Sequence, residues 1–365
     1  MKPFKVSWEK PESQSTKPSS RIQFNPLVDN GSLEWTGGLI QELGGTEKEK
    51  QGVLETLQKT YEHMTGLDDE FLKANCKNQN AQCAFWGSIG ECDKNPSYMT
   101  KSCAPACQSC HLLIWENRCP AKEDLEETAA YGPGDLGSLF KKIREGVFDE
   151  YGPVEILSDD PFVVTFEKFL SEEECDALVE LGYKIGYDRS TNTGPFDSFG
   201  NAERVVSNTR TSHNAWCKTE LCTSDPTALA IMERISNVSG TPDHSYHEHL
   251  QMLKYETGQF YKPHHDFIAK HLEYNIGPRV LTFFLYLSDV EEGGGTRFTK
   301  LDGLTVTPKK GKALLWPSVK ELDPLSVDER TEHEAMSVIS GQKYAANAWI
   351  HMYEYKSEHD KGCTG

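Results

Sequence analysis

Six of the chain's 11 cysteines fall in the short span from Cys76 to Cys110. The spacing is Cys76-x6-Cys83-x8-Cys92-x10-Cys103-x3-Cys107-x2-Cys110. A segment this small buries little apolar surface, so a density of this kind marks a module held by disulfides. Spacing alone leaves the pairing open. Zinc on Cys103-x3-Cys107-x2-Cys110 is the competing reading, and six thiols in one oxidisable module count against it. Disulfides need an oxidising compartment, so the chain is expected in the secretory pathway, in the endoplasmic reticulum lumen or outside the cell. The opening Met1-Lys2-Pro3-Phe4-Lys5 does not run into an apolar signal segment, and on this expectation a leader has been lost, processed or left outside the sequence. Asn30-Gly-Ser32 and Asn237-Val-Ser239 are glycosylation sequons consistent with that route. Among the other cysteines, Cys217-x4-Cys222 has the spacing of a small closed loop after Trp216. Cys119, Cys175 and Cys363 are an odd number, which leaves at least one thiol free or intermolecular, and their pairing is not readable.

Periodicity divides the rest of the chain. Residues 1–75 read as a Pro-, Ser- and Gly-rich tail followed by one amphipathic helix. That helix opens with the capping box Thr46-Glu-Lys-Glu49, continues through Val53, Leu54, Leu57, Tyr61 and Met64, and stops at Gly66. Residues 76–110 are the cysteine module, and 111–152 read as a connector with a short helix near Leu136–Arg144. Residues 153–356 form a mixed domain, and 357–365 a tail. Within 153–356, capped helices begin at Ser171 and Asp225-Pro226; strand signals then dominate at Val280–Leu287, Leu304–Thr307, Ala313–Trp316 and Tyr344–Tyr353. A few helices followed by successive short strands argue for α+β, with the strands in a barrel or sandwich. Lys plus Arg number 38 against 56 for Asp plus Glu, a net charge of −18 that repels phosphate backbones and excludes general nucleic-acid binding. No apolar run is long enough to span a membrane. Oligomeric state is not readable.

The chemistry concentrates in two places. His264 and Asp266 lie two apart, so on a strand they share one side while His265 faces the other. His333 follows Asp266 by 67 residues, with several strands between, and Lys343 follows ten positions later. Two imidazoles and one carboxylate leave one face of an iron open for co-substrate and oxygen. A cation such as Lys343 is suited to the far carboxylate of a keto acid bound to the same ion. In contrast, His244-Ser-Tyr-His247-Glu-His249 reads as a solvated loop, and Trp316 and the Phe283-Phe284 pair read as core.

These residues occur together with Arg210-Thr-Ser212, Tyr255-x2-Gly-Gln-x-Tyr261, Gly277-Pro-Arg279 and Tyr286-Leu-Ser-Asp-Val-Glu-Glu-Gly-Gly294. From Val154 to Tyr355 the sequence thus resembles the prolyl 4-hydroxylase branch of the iron(II)- and 2-oxoglutarate-dependent dioxygenases. The resemblance implies a double-stranded β-helix (jelly-roll) catalytic domain with flanking helices. His264, Asp266 and His333 match its iron ligands. Lys343 matches the residue that pairs with the 2-oxoglutarate C5 carboxylate, aided by Tyr255 and Thr296. Arg210, Ser212, Tyr261, Arg279 and Trp349 match positions of the peptide groove or inner wall, and Thr191–Val206 a loop that folds over the peptide. The implied cofactors are Fe(2+), 2-oxoglutarate and L-ascorbate, and the implied partner is a proline-containing peptide or protein. Gly295 and Tyr344 depart from the collagen-type pattern, which bears on groove shape and substrate preference. Related lysyl hydroxylases usually carry Arg where Lys343 stands, so Lys favours prolyl chemistry.

Between the cysteines, Cys83-Ala-Phe-Trp-Gly, Gly90-Glu-Cys92 and Asn95-Pro-Ser-Tyr-Met99 resemble a ShK-toxin-like (ShKT) domain. That resemblance implies the pairs Cys76–Cys110, Cys83–Cys103 and Cys92–Cys107. Two other readings stay open: an oxygenase acting on lysine or a non-peptide acceptor, and a secreted ShKT-based binding protein with an inactive barrel.

Overall fold

The structure, a computed structural model, describes residues 4–5, 38–123, 125–196 and 202–364. Two compact units emerge, one comprising Met1–Pro120 and His359–Cys363, the other chiefly Ala121–Asp197 and Asn201–Glu358.

In the first unit, helix α1 (Glu47–Thr65) begins with a reciprocal cap between Thr46 and Glu49 and ends at Gly66, whose N–H bonds to the Glu62 carbonyl. Its buried stripe of Val53, Thr56, Leu57, Thr60 and Met64 follows helical spacing. Val53 and Leu57 share a small cluster with Ala84 of α2 (Cys83–Ser88). A third helix, α3 (Pro96–Ser102), buries Met99 against Cys83 and Cys103. Disulfides join Cys76 to Cys110, Cys83 to Cys103 and Cys92 to Cys107. A fourth joins Cys119 to Cys363 across 244 positions of sequence. The segment 357–365 is therefore not a loose tail: Cys363 is buried and crosslinked. The helix expected as a separate N-terminal element belongs to the same unit as the cysteine module. Of the expected 1–45 tail, nearly all of residues 1–37 lies outside the described residues; from Gly38 onward the chain is bonded to Asn78 and Asn80.

The second unit begins earlier than the sequence pattern suggested. Helix α4 (Asp135–Arg144), read as part of a connector, buries Leu136, Leu139, Phe140 and Ile143 in the same apolar cluster as the sheet residues Phe166 and Phe283. Strands β1 (Val154–Asp159) and β2 (Phe162–Phe166) form a hairpin. Helix α5 (Glu172–Ile185) follows, started by the Ser171–Glu174 capping box. Next come β3 (Asp188–Arg189), the hairpin of β4 (Asn192–Phe196) and β5 (Ala202–Val205), and β6 (His213–Trp216). The Thr191–Val206 stretch is thus largely a β-hairpin, with residues 197–201 outside the described residues. Helix α6 (Pro226–Ser239) is capped by Asp225 and leads to β7 (Gln251–Tyr255) and β8 (Tyr261–His264). The remaining strands used below are β9 (Arg279–Tyr286), β10 (Thr296–Phe298), β11 (Thr305–Val306), β12 (Ala313–Pro317), β13 (Val319–Lys320), β14 (Asp323–Val327), β15 (His333–Ala335) and β16 (Lys343–His351).

An eight-stranded antiparallel sheet runs β1-β2-β12-β9-β16-β7-β6-β3, and a four-stranded sheet runs β8-β15-β10-β11. This is the jelly-roll-like arrangement of antiparallel sheets, with helices on one side. The two faces of the large sheet explain its near-continuous apolar strands. On β9, Leu281, Phe283 and Leu285 join the cluster with α4, α5 and α6, while Phe284 and Tyr286 join Trp316, Phe298 and Ala335 on the opposite face. On β16 the period of two sends Ala346, Ala348 and Ile350 to the helices and Ala345 inward. Each buried Leu, Phe or Ile of these faces contributes about 1.5–3 kcal/mol over exposure. The inner face, walled by the second sheet, carries the functional side chains.

Outside the cysteine module, Cys217 bonds to Cys222, and Cys175 is a buried free thiol.

Candidate metal centre and its pocket

Strand pairing brings the distant histidine to the His-x-Asp pair. On β8 and β15, His264 and His333 are direct cross-strand partners. Ligand atoms of His264, Asp266 and His333 all lie within 4.8 Å of one another. Each imidazole is oriented by its own backbone: His264 Nδ1 meets the Lys262 carbonyl at 2.9 Å, and His333 Nδ1 the Thr331 carbonyl at 3.0 Å. A carbonyl only accepts, so Nδ1 carries the hydrogen in both rings and Nε2 keeps its lone pair. Asp266 Oδ2 accepts from the Thr282 hydroxyl of β9 at 2.7 Å. Burial, reinforced by repulsion from His333, pushes His264 down to about 3, and burial also lowers His333. Asp266 stands at about 2, because burial, which opposes its charge, is outweighed by attraction to the two imidazoles and Arg279. Two neutral nitrogen donors and one carboxylate are the donor set of a divalent transition metal, with coordination positions left over. Those chemistries fit iron(II).

Lys343 sits on the same inner face. Its side chain is fully buried, and its ammonium donates to the Gly294 carbonyl at 2.7 Å. Among the described residues no carboxylate pairs with it. The rings of Phe284, Tyr255 and Tyr286 surround Nζ at 5.0, 5.3 and 5.4 Å, which offsets part of the cost of burying charge. Burial pushes the Lys343 amine down to about 7. A buried cation without a counter-ion is expensive, and an incoming carboxylate is what it lacks. Tyr255 is the direct cross-strand neighbour of Lys343, and Thr296 accepts from the Tyr286 hydroxyl at 2.8 Å. Gly294, at φ +68, presents the carbonyl that holds the ammonium.

The positions matched to groove or wall divide by depth. Arg210 is stacked on Tyr261 at 4.8 Å, and Tyr261 lies parallel to His264 at 3.6 Å between ring centres. Arg210 also donates to Gln251 at 3.0 Å, and Ser212 is completely buried beside Ser190. Arg279 lies 3.9 Å from the Trp349 ring, donates to Glu248 at 2.6 Å and reaches the Asp266 carbonyl at 3.5 Å. The Trp349 indole N–H is buried and has no hydrogen-bond partner among the described residues.

Several neighbours escape a reading of the sequence. The His244–His249 segment is not a solvated loop at its centre, since His247 and Glu248 are buried. Glu248 is held there because its carboxylate answers both Arg279 and His351, the latter at 3.0 Å. His351 follows Trp349 by two on β16, so strand period was the signal that could have found it. Trp316 is core, and it also packs edge-on against His333 at 4.7 Å. Tyr344, expected to bear on the groove, points to the other face of the sheet, where its hydroxyl lies 2.6 Å from that of Tyr183 on α5. At Gly295 a Cβ would stand 3.1 Å from the Thr305 side chain, so the tight β10–β11 approach leaves little room for a larger residue.

The 2OG-Fe(II) oxygenase superfamily matches residues 250–351, the span from β7 to the end of β16. A probable prolyl 4-hydroxylase 10 of Arabidopsis thaliana is 35% identical over 251 residues, which cover 61% of this chain and 81% of that protein. The prolyl 4-hydroxylase subunit alpha-1 of Gallus gallus is 33% identical over 211 residues, covering 56% of this chain and 38% of the subunit. A solved viral collagen prolyl hydroxylase from Paramecium Bursaria Chlorella virus-1, in complex with 2OG, is 25% identical over 52% of this chain and 95% of its own, with a TM-score of 0.40. By the extent and identity of the Arabidopsis match, this chain belongs to the prolyl 4-hydroxylase family of 2-oxoglutarate- and iron(II)-dependent oxygenases.

Proposed function

We propose that this protein hydroxylates C4 of prolyl residues in a peptide or protein. The observation that carries the reading is the pairing of two features on one inner face: an oriented His264–Asp266–His333 donor set, and a buried Lys343 ammonium without a counter-ion. In this reading His264 Nε2, His333 Nε2 and an Asp266 oxygen hold iron(II), and Lys343 receives the C5 carboxylate of 2-oxoglutarate beside Tyr255 and Thr296. Bound there, the metal couples oxidative decarboxylation of 2-oxoglutarate by O2 to insertion of one oxygen atom into a prolyl C–H bond, releasing succinate and CO2.

The protein's part is orientation and exclusion of water. The Lys262 and Thr331 carbonyls fix the imidazole tautomers, and Thr282 fixes the carboxylate. Trp316, Phe298 and Phe284 keep the interior dry around these groups, which strengthens the Lys343–carboxylate attraction. Arg210, Tyr261, Arg279 and Trp349 line the substrate side, with Ser212 behind them in the wall. L-ascorbate would restore metal oxidised without substrate turnover.

The cysteine module reads as a ShKT domain serving as an accessory to the catalytic unit, and its bond pattern supports that assignment. No helix among the described residues is long and apolar enough to cross a membrane. Five disulfides favour an oxidising secretory compartment, for which the endoplasmic reticulum lumen is our reading.

Mass spectrometry of proline-containing peptides incubated with the protein, iron(II), 2-oxoglutarate and ascorbate tests the function. The expected product is a +16 adduct on proline with one succinate per hydroxylation. A +16 adduct confined to lysine, or succinate release without peptide oxidation, would reject the prolyl assignment.

A further inference from the structure

A ladder of alternating rings and cations leads outward from the metal centre. Arg279 touches the Asp266 carbonyl at 3.5 Å and stacks on Trp349 at 3.9 Å. Trp349 faces Trp216 at 6.0 Å between ring centres, and the Lys218 ammonium caps Trp216 at 4.9 Å. The two ends differ electrically. Arg279 is neutralised by Glu248. Lys218 has no carboxylate partner among the described residues, although the chain as a whole carries a charge of −18. Burial lowers its pKa; Glu248, already engaged by Arg279, attracts it without pairing with it, and Arg204 of β5 repels it. Lys218 is an exposed residue whose ammonium lies on an aromatic face and forms no ion pair among the described residues, and such a cation attracts an anionic group of a bound partner.

We propose that Lys218 selects peptides bearing an acidic side chain close to the target proline. Trp216 holds the ammonium in place, and Trp349 and Arg279 set its position relative to the metal centre. This rests on the prolyl reading above and extends it from substrate class to substrate sequence.

The test uses the full chain and a matched set of single-proline peptides that differ only in one flanking residue, Glu, Gln or Lys, moved through the positions on either side. The readout is the ratio of kcat/KM between Glu and Gln peptides, in which any general loss of active protein cancels. At one flanking position the native protein should prefer Glu over Gln by about three- to tenfold, the range of a partly exposed ion pair. Lys218→Glu should invert the preference toward the Lys peptide, Lys218→Arg should keep it, and Lys320→Glu on the β13–β14 hairpin should leave it intact. Equal kcat/KM for Glu and Gln peptides, or a preference that survives Lys218→Glu, overturns the inference while prolyl turnover stands. Lack of +16 on proline in every peptide overturns the prolyl reading and this inference with it.

Discussion

The first unit holds four disulfides, and its buried apolar residues fall into three small clusters. The second holds one disulfide, Cys217–Cys222, and two large clusters on opposite faces of an eight-stranded sheet. The first unit is kept folded mainly by limiting the freedom of its unfolded chain; the second is kept folded by burial. In the second unit, the strands that bury Phe283 and Ile350 toward the helices place Thr282, Lys343 and Trp349 inward at alternate positions. The core that stabilises the second unit is therefore also the frame of its chemistry. None of the proposed site residues lies in the first unit.

Perturbations can break this contrast, beginning with the metal ligands. His333→Ala should reduce succinate release to background while near-UV circular dichroism of the folded protein persists. Substantial turnover in that variant would remove the donor set from the account. Lys343→Met should raise the 2-oxoglutarate requirement by ~30- to 5,000-fold, the equivalent of ~2–5 kcal/mol for a lost buried charge contact. The same substitution should stabilise the ligand-free protein, by about 1–3 kcal/mol, because an uncompensated buried cation is replaced by a hydrophobic chain. Denaturant unfolding checks the second half. A variant that weakens both co-substrate binding and stability would mean that Lys343 is structural.

Thr282→Val should weaken iron(II) binding by ~10- to 100-fold through loss of the bond that orients Asp266, and a metal titration measures it. The pH dependence is smaller per unit. Lys343 is charged below about 7 and neutral above it, so the apparent 2-oxoglutarate KM should rise above that pH, by at most ~tenfold per unit. For stability the sign is the reverse: an amine whose folded pKa is depressed costs stability in full below about 7, and the cost fades as pH rises toward its unfolded value. A flat KM profile from pH 6 to 9 would contradict the anchor role. The smallest effect on turnover should come from reductant. Dithiothreitol should expose the first unit to protease, as each lost disulfide removes ~2–4 kcal/mol, while kcat on a short peptide changes less than about twofold. Parallel loss of both, together with full activity in a Cys217→Ser/Cys222→Ser variant that lacks only the second unit's disulfide, would show that the catalytic unit depends on the stapled one.

How much of this is visible in sequence follows from the same contrast. Caps are local, so the starts of α1 at Thr46 and of α5 at Ser171 can be read from four residues each. His264 and Asp266 share a face by strand period, but their meeting with His333 is a matter of register between β8 and β15, which no local pattern encodes. Family resemblance supplied that pairing. Residues 111–152 looked like a connector because α4 is short and flanked by glycines; its apolar stripe becomes core only against a sheet formed much later in the chain. Glu248 reads as solvated in sequence because a carboxylate's burial depends on partners elsewhere, here Arg279 and His351. Cys119 and Cys363 could not be paired from spacing, since 244 positions separate them. Tyr344 shows the converse error: adjacent to Lys343 in sequence, it lies on the opposite face of β16.

The most direct measurement is an anaerobic titration of the iron(II)-loaded protein with 2-oxoglutarate, followed in the visible spectrum. A keto acid chelating iron(II) gives a weak charge-transfer band. The account predicts that the band appears in the native protein, needs far more 2-oxoglutarate in Lys343→Met, and fails to form in His333→Ala. A band of equal strength and midpoint in all three would contradict a single site built from His264, Asp266, His333 and Lys343.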